Sequence, residues 1–378
     1  MRVAIVAESF LPRVNGVTGS VLRASRHLLS QGHHVEIIAP HPAPQETEDG
    51  VAIHPVASFA VPRMHIDVGY RTVGRLRGLL DTIQPDVVHL ASPFLLGHQA
   101  IRAAAHTAVP TVAVFQTDVS GFARHYRLSP VGALSDAFIR RIHREAHLTL
   151  VPSTASRDYL QALGVKRVRL WGRGVDTVQF DPRHRSPSLR TQWLSPDPDR
   201  IVIGYVGRLA PEKSIDMLTE VRNDPRVQLV VVGDGPQRAE LERMLPTAVF
   251  TGMLRGDDLG AAMASLDILV APGERETFCQ VIQEGMASGV PIVAPNVGGP
   301  RDLVTHGEVG LLYEPGNRDQ LRRCIDALVE SNAARAVMGV AGRSLIRDRT
   351  WTSIGDDLID HYRSVIPHSS RARTYVAA

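Results

Sequence analysis

The stretch from Asp267 to Pro295, D-I-L-V-A-P-G-E-R-E-T-F-C-Q-V-I-Q-E-G-M-A-S-G-V-P-I-V-A-P, decides the fold that we predict for this chain. Its pattern predicts a buried strand over 268–271, a turn that carries acidic residues, a helix over about 278–288, and a second strand over 291–294. In open sheets of parallel strands, ligands bind beyond the carboxyl ends of the strands. We therefore expect the chemistry of this protein in the turn that follows the first of these strands.

Two glutamates of this stretch, Glu276 and Glu284, are separated by seven residues. At the helical rise of ~1.5 Å per residue, their Cα atoms would lie roughly 12 Å apart, with a helix N-terminus between them that can meet a phosphate. A carboxylate can accept hydrogen bonds from two sugar hydroxyls at once. The spacing suits a nucleotide-sugar, although by itself it also fits two solvated glutamates beside an amphipathic helix.

The run from Glu276 to Glu284, E-T-F-C-Q-V-I-Q-E, resembles the E-x7-E motif of the retaining glycosyltransferases of family 4, which have the GT-B fold. The flanking runs D-I-L-V-A-P and E-G-M-A-S-G-V-P-I-V-A match that family as well. The resemblance implies an α/β protein with two Rossmann-like, doubly wound parallel-sheet domains that face a cleft, and a C-terminal helix that crosses back to the N-terminal domain. We expect an acceptor-binding domain over 1–170 with the crossover helix 352–366, a donor-binding domain over 171–351, and a flexible tail over 367–378.

Composition supports two domains and limits the classes of partner. The chain has 378 residues, which exceeds one ordinary hydrophobic core, and a formal net charge of +3. No basic-aromatic pattern accompanies that charge, so we expect no nucleic-acid partner. The two cysteines have no metal or redox spacing, the first residues already form a strand, and no apolar run approaches the ~20 residues that span a bilayer. These features predict a cytoplasmic protein.

A second motif, G-R-L-A-P-E-K, contains Arg208 and Lys213 and follows a predicted strand over 201–206. Two cations at a strand end can neutralise a diphosphate, and the motif resembles the diphosphate-binding segment of family 4. Lysine is otherwise found only at position 166, against 40 arginines. The acids Asp197 and Asp199 form a D-x-D, but in a proline-flanked turn, so we expect no metal and no other cofactor.

The N-terminal half offers candidates after two of its predicted strands. Gly16 lies in a loop whose backbone can approach a phosphate, or which is only a tight turn. Asp118, in Gln116-Thr-Asp118, can orient a hydroxyl nucleophile or cap a helix. Many family members carry histidine where Gln116 stands; glutamine cannot become charged, although it can still hydrogen-bond a donor sugar. The resemblance also places His125 at the site.

The resemblance implies a reaction as well as a fold. It assigns catalytic roles to Arg208, Lys213, Glu276, Asp118 and Gln116. It assigns substrate binding to Gly16, His125, Phe278, Cys279, Gln280, Val281 and Glu284. In these enzymes, the amides at Phe278 and Cys279 would position sugar hydroxyls, and the family usually has glycine where Cys279 stands. The expected reaction is retaining transfer of a hexose by a metal-independent, front-face route.

Within the family, the run A-E-S-F-L-P-R-V-N-G-V looks most like the GDP-mannose-dependent α-mannosyltransferases of bacterial glycolipid and lipoglycan synthesis. The resemblance therefore implies transfer of mannose from GDP-mannose to a lipid or glycolipid hydroxyl. A UDP-sugar-dependent glycolipid glycosyltransferase is the nearest alternative. A UDP-sugar 2-epimerase of the same architecture and a non-catalytic nucleotide-sugar-binding protein are others.

Arginines cluster in two segments of the N-terminal half, at positions 71, 75 and 77 and at positions 140, 141 and 144. Each set is either an ordinary solvated face or a basic surface that meets anionic lipid, where each cation contributes about 1 kcal/mol. Because many relatives act on lipid acceptors, we expect peripheral contact with the inner face of the plasma membrane.

Overall fold

The computed structural model describes residues 1–12, 16–61, 66–116 and 129–367 of the chain. These residues divide into two compact units. The first comprises Met1–Gly172 together with the C-terminal segment that begins at Trp351, and the second comprises Arg173–Thr350.

The first unit is built on a seven-stranded parallel sheet with the strand order β3-β2-β1-β6-β7-β8-β9. Two further strands, β4 and β5, pair as an antiparallel hairpin. The strands are β1 (Arg2–Ala7), β2 (His34–Pro40), β3 (Ala52–Val56), β4 (Ser58–Val61), β5 (Ile66–Gly69), β6 (Val87–Ala91), β7 (Thr111–Val114), β8 (Leu148–Val151) and β9 (Val168–Leu170). The order changes direction between β1 and β6, which is the topological switch point of a doubly wound sheet.

Helices cover both faces of this sheet because its central strands are apolar on both sides. In β1, Val3 and Ile5 belong to one hydrophobic core, and Ala4 and Val6 belong to the core on the opposite face. The helices are α1 (Gly16–Ser30), α2 (Val73–Ile83), α3 (Leu95–His106), α4 (Ser129–Glu145) and α5 (Thr154–Ala162).

The last helix, α13 (Trp351–Arg363), returns to the first unit and packs against α1. His27 Nε2 lies 2.9 Å from the Asp356 carboxylate, and His89 Nδ1 lies 2.7 Å from the Tyr362 hydroxyl in the buried core. Burial lowers the pKa of His89 to about 4, so this contact involves a neutral imidazole at neutral pH. The predicted crossover of the C-terminal helix is confirmed.

The second unit contains a six-stranded parallel sheet with the order β12-β11-β10-β13-β14-β15. Its strands are β10 (Ile201–Val206), β11 (Val227–Val232), β12 (Val249–Gly252), β13 (Ile268–Val270), β14 (Ile292–Pro295) and β15 (Gly310–Tyr313). Its α-helices are α6 (Pro187–Leu194), α7 (Arg238–Met244), α8 (Gly256–Ala264), α9 (Gln280–Ala287), α10 (Gly298–Leu303), α11 (Arg318–Glu330) and α12 (Asn332–Ile346). Short 3₁₀ helices cover Pro182–His184, Pro211–Lys213 and Ile215–Val221.

The predicted α/β class with two doubly wound parallel sheets is confirmed by these two strand orders. The second sheet changes direction between β10 and β13, which are direct neighbours with Ile203 opposite Ile268. A ligand site is therefore expected where β10 and β13 end.

Candidate active site

The switch point of the second sheet brings the two predicted motifs together. Lys213 follows β10, Glu276 follows β13, and the ammonium group of Lys213 donates a hydrogen bond to Glu276 Oε1. The two residues are 63 positions apart in the chain. Both side chains are largely buried, with 27% of Lys213 and 19% of Glu276 exposed. A cation and an acid thus share the point at which a doubly wound sheet binds its ligand.

The charge of Lys213 is secured by its surroundings. Burial lowers the pKa of its ammonium group, but the attraction and hydrogen bond of Glu276 outweigh this effect, and the pKa is raised above its ordinary value. Lys213 is therefore protonated at neutral pH and available to an anionic ligand.

Arg208 precedes Lys213 in the same loop and makes a second ion pair, from its guanidinium to Glu212 Oε1. The Arg208 side chain is 58% exposed, whereas that of Glu212 is only 8% exposed. The hydroxyl of Tyr205 donates a hydrogen bond of 2.9 Å to the backbone carbonyl of Arg208, which fixes the start of the loop. The tyrosine thus holds the backbone of Arg208, and the largely buried Glu212 pairs with its guanidinium, while more than half of the Arg208 side chain remains exposed.

Glycines allow the loops after β10 and β11 to interlock. A Cβ on Gly233 would lie 1.9 Å from the Gly207 carbonyl oxygen, and a Cβ on Gly235 would lie 2.3 Å from the Leu209 carbonyl oxygen. The N–H of Leu209 donates to the Asp234 carbonyl at 2.9 Å across the same contact. The run G-D-G-P at 233–236 therefore supports the cationic loop by close backbone packing, which side chains would prevent.

The glutamate stretch differs from the prediction at the start of its helix. Helix α9 begins at Gln280, two residues later than predicted, because Cys279 adopts the left-handed conformation with φ 71°. The estimate of about 12 Å between the Cα atoms of Glu276 and Glu284 assumed a continuous helix. That assumption is wrong, since the residues between Glu276 and Cys279 are not helical.

The conformation of Cys279 explains why the resembled family usually has glycine at this position. A residue with a side chain is disfavoured there by about 1–2 kcal/mol. The side chains of Phe278 and Cys279 pack in the main hydrophobic core of the unit, and their backbone forms the turn that precedes α9. Burial is the main cause that raises the pKa of the Cys279 thiol well above its ordinary value, and the thiol is therefore neutral.

A glycine turn at the start of α10 holds the backbone of Glu276. The N–H of Gly299 donates to the Glu276 carbonyl at 2.8 Å. A Cβ on Gly299 would lie 2.3 Å from the Phe278 carbonyl oxygen, which leaves room for glycine alone. The V-G-G-P segment at 297–300 thus positions the turn that carries Glu276.

The first turns of α9 carry two of the other predicted binding residues, Gln280 and Val281. Two glutamines of this helix also hydrogen-bond the backbone of residues 173 and 174, which the sequence did not assign to the site. Gln280 Nε2 donates to the Gly174 carbonyl at 2.9 Å, and Gln283 Nε2 donates to the Arg173 carbonyl at 2.9 Å. Val281 is partly buried against the main core. Gln280 is therefore engaged within the protein through its amide nitrogen.

Arg173 is the site residue that sequence reasoning missed. Burial lowers the pKa of its guanidinium, while the charges of Glu276 and Glu284 oppose that shift, so Arg173 lies within electrostatic range of both acids of the motif. The signal in the sequence is a single cation between two glycines, in Gly172-Arg173-Gly174. Nothing in that segment indicates that it contacts a helix more than a hundred residues later.

The remaining predicted residues belong to the first unit. Gly16 is exposed at the first position of α1, and Gln116 is buried just beyond the end of β7. Asp118 and His125 lie outside the described residues. Their assignments stay predictions.

Glu8, directly after β1, is a half-buried acid at the switch point of the first sheet. Its Oε1 accepts hydrogen bonds of 2.6 Å from the N–H groups of Phe94 and Gly97 at the start of α3. Burial raises the pKa of Glu8 to about 7, although these hydrogen bonds lower it. Glu8 therefore joins the loop after β1 to the loop after β6.

Among the residues that the structure describes, no group of three or more histidine, cysteine, aspartate or glutamate side chains could hold a metal ion. The D-x-D acids are engaged locally: Asp197 Oδ1 accepts from the Asp199 N–H at 3.3 Å, and Asp197 Oδ2 lies 3.3 Å from Arg200 Nε. The charged groups that converge at the second switch point are cations and glutamates.

Comparison with known proteins gives consistent matches over both units. The family model of glycosyl transferases group 1 matches residues 200–331, and that of glycosyltransferase family 4 matches residues 14–179. The chain is 48% identical to a GDP-mannose-dependent alpha-mannosyltransferase of Mycolicibacterium smegmatis, over 98% of this chain and 99% of that protein. It is 46% identical to a protein of the same name from Mycobacterium tuberculosis, over 97% of each chain.

Solved structures share the fold at low sequence identity. Sucrose-phosphate synthase from Thermosynechococcus elongatus superposes with a TM-score of 0.79 at 19% identity, over 96% of this chain and 98% of that one. At this identity the similarity shows the fold alone.

Proposed function

The chain belongs to glycosyltransferase family 4, and on that premise we propose that it transfers mannose from GDP-mannose to a hydroxyl of a lipid or glycolipid acceptor, with retention at the anomeric carbon. The observation that carries the proposal is the Lys213–Glu276 pair at the switch point of the second sheet. The near full-length identity to two mycobacterial GDP-mannose-dependent enzymes supports the choice of donor.

In the proposed complex, the diphosphate of the donor meets Arg208 and Lys213. Arg208 already presents an exposed guanidinium, and Lys213 is held as an ammonium beside Glu276. As the bond from mannose to the diphosphate breaks, negative charge develops on the leaving group, and these cations stabilise it. The mechanism needs no metal ion, because the cations of the chain supply the charge.

The acids serve the two hydroxylated ends of the donor. When Lys213 turns from Glu276 to the diphosphate, Glu276 becomes free to accept hydrogen bonds from the mannose hydroxyls. Glu284, inside α9, accepts from the ribose. The turn at Phe278 and Cys279 and the first amides of α9 add N–H donors, since no side chain caps this helix N-terminus.

Retention follows from a front-face route. The acceptor hydroxyl approaches the anomeric carbon on the face that the diphosphate leaves, and its proton passes to a departing phosphate oxygen. One C–O bond breaks and one forms on the same face, so the products are the α-mannoside and GDP. We assign the orientation of the acceptor to Asp118 and Gln116, with Gly16 and His125 as further contacts.

A basic surface on the first unit supports contact with an anionic membrane. Helices α2, α3 and α4 pack side by side, and their exposed arginines include Arg75, Arg77, Arg140, Arg141 and Arg144. Arg77 and Arg141 each have an acidic neighbour one turn away, at 3.7 Å and 3.1 Å. We propose that this surface meets anionic lipid at the inner face of the plasma membrane.

In the described parts of the chain, no helix has the length and apolar character of a membrane span.

Flotation with liposomes tests the membrane contact. We expect recovery with anionic liposomes to exceed recovery with neutral ones, and the double variant R140Q/R144Q to lose most of that difference. Equal recovery of the wild-type protein with anionic and neutral liposomes would refute the proposed membrane contact.

A donor panel tests the proposed reaction. The protein is incubated with GDP-mannose, UDP-glucose or UDP-glucuronate and with membrane extract as acceptor, and products are read by mass spectrometry. We expect a mannosylated lipid from GDP-mannose and no comparable product from the UDP-sugars. Turnover of a UDP-sugar without any acceptor would indicate an epimerase instead, and calorimetry of GDP against UDP measures the base preference directly.

A further inference from the structure

A cavity of about 560 Å³ lies at the edge of the second sheet that is opposite the proposed donor site. Two arginines of its lining pair with Asp267, which directly precedes β13, whereas Glu276 follows β13. Clefts that bind small molecules have volumes of roughly 300–1,000 Å³, far more than a single inorganic ion needs. The cavity therefore has room for a small organic molecule, away from the residues that we assign to sugar transfer.

One face of α6 forms a wall of this cavity. Pro187, Arg190, Thr191 and Leu194 line it, and their spacing of three and four positions places them on the same side of the helix. The lining is completed by residues before and after this helix, Arg185, Ser195, Pro196 and Pro198. The wall combines apolar surface, two hydroxyl groups and two guanidinium groups, which suits a ligand that has a hydroxylated carbon skeleton and an anionic group.

Arg190 is held in a fixed orientation by only one of its terminal nitrogens. Its Nη1 donates to the Ser265 carbonyl at 2.8 Å and to Asp267 Oδ2 at 3.0 Å. Within the described residues, the Nε and Nη2 groups of Arg190 donate to no protein atom. These two groups form the edge of a guanidinium that binds a phosphate or carboxylate through two parallel hydrogen bonds. Arg190 therefore lines the cavity with an edge that is available to an oxyanion.

The charges around the cavity favour an anion as well. The Arg185 Nη2 group lies 2.6 Å from Asp267 Oδ1, so two guanidiniums share one carboxylate and one positive charge remains. The carbonyl end of α8, to which both arginines donate, offsets part of that charge. Asp197, in the turn after α6, is paired with Arg200 at 3.3 Å. The net charge that faces the cavity is therefore positive.

We propose that this cavity binds a small organic phosphate of about the size of a sugar phosphate. The phosphoryl group contacts the Nε–Nη2 edge of Arg190, and the carbon skeleton packs against the face of α6 that carries Pro187 and Leu194. Hydroxyl groups of the ligand meet Thr191 and Ser195. This site is additional to the donor site and does not depend on the proposed function.

Titration calorimetry with three probes tests the class of ligand. Mannose 6-phosphate carries both the anion and the hydroxylated skeleton, mannose lacks the anion, and inorganic phosphate lacks the skeleton. We expect mannose 6-phosphate to bind the wild-type protein, and each of the other two to bind at least about tenfold more weakly, because each loses one set of contacts.

Two variants and a matched control locate the binding. R190Q removes the open guanidinium edge, but it also removes one partner of Asp267. T191W fills the cavity from an exposed position of α6 and leaves both arginines in place. Q192W is the control, because Gln192 is equally exposed on the same helix and lies outside the cavity lining. R190Q and T191W should weaken binding of mannose 6-phosphate at least about tenfold, and Q192W should match the wild type, with melting temperatures as a check on folding.

Four results would overturn the proposal. They are no binding of mannose 6-phosphate up to about 10 mM, equal affinity for T191W and Q192W, equal affinity for mannose, and equal affinity for inorganic phosphate. The variant K213M separates this site from the donor site, since it should bind mannose 6-phosphate as the wild type does. Loss of binding in K213M but not in T191W would place the ligand in the donor site and would also overturn the proposal. None of these measurements uses mannose transfer, so their outcome leaves the proposed function untouched.

Discussion

Replacing Lys213 by methionine should abolish most of the transfer activity while leaving the protein folded. The change keeps an unbranched side chain of nearly the same length and removes the ammonium that pairs with Glu276. Two unit charges about 4 Å apart interact by about 4 kcal/mol at an effective dielectric constant of about 20. Because Lys213 must first give up its pair with Glu276, we expect a smaller net loss of about 3 kcal/mol in transition-state stabilisation, or roughly 100-fold in kcat.

The sequence offers a matched control for this test, since Lys166 is the chain's other lysine and is exposed in the first unit. Steady-state rates with GDP-mannose are compared for K213M, K166M and the wild type, with melting temperatures as a check on folding. K166M should equal the wild type. A value of kcat for K213M within about twofold of that for K166M, at an unchanged melting temperature, would refute the role of this cation.

Three further perturbations follow from the contacts described above. E284Q should raise the KM for GDP-mannose roughly tenfold and change kcat little, because the proposed ribose contact is the same in the ground state and the transition state. An unchanged KM would contradict the assignment of Glu284 to the ribose. G299A places a Cβ 2.3 Å from the Phe278 carbonyl oxygen and should lower kcat/KM at least roughly tenfold. G19A is the control, because a Cβ on Gly19 meets nothing within 4 Å, and its kcat/KM should be unchanged. Equal kcat/KM values for G299A and G19A would show that the glycine turn does not position the site. Burial raises the pKa of Glu8 to about 7, so its contribution to stability is present at low pH and is lost as the pH rises toward that value. The melting temperature of E8Q relative to the wild type should therefore rise between about pH 5 and about pH 8, and a constant difference would show that Glu8 does not titrate in this range.

The sheets were predictable because their central strands are continuously apolar. Strands β10 and β11 are buried along nearly their whole length and end at glycine turns, which is the pattern of a parallel sheet covered on both sides. Strand β3 was not predicted, because its sequence A-I-H-P-V contains a histidine and a proline. It forms the edge of the first sheet, where a proline is tolerated since its missing N–H need not pair.

The candidate site was predictable only in its linear motifs. Arg208, Lys213 and Glu276 follow strands, and the switch point brings the loops after β10 and β13 together. The late start of α9 depends on the left-handed backbone of Cys279, which the residue type disfavours. The place of Arg173 depends on two glutamines of α9, 106 and 110 positions away from their acceptors, and no local pattern encodes such a contact.

The central claim is that the cations at the end of β10 take the diphosphate of GDP-mannose while mannose passes to the acceptor on the same face. The most direct measurement is nuclear magnetic resonance of the anomeric centre in the lipid product formed from GDP-mannose by the wild-type protein. The account predicts an α-mannoside. A β-mannoside, or release of free mannose without a glycosylated product, would contradict it.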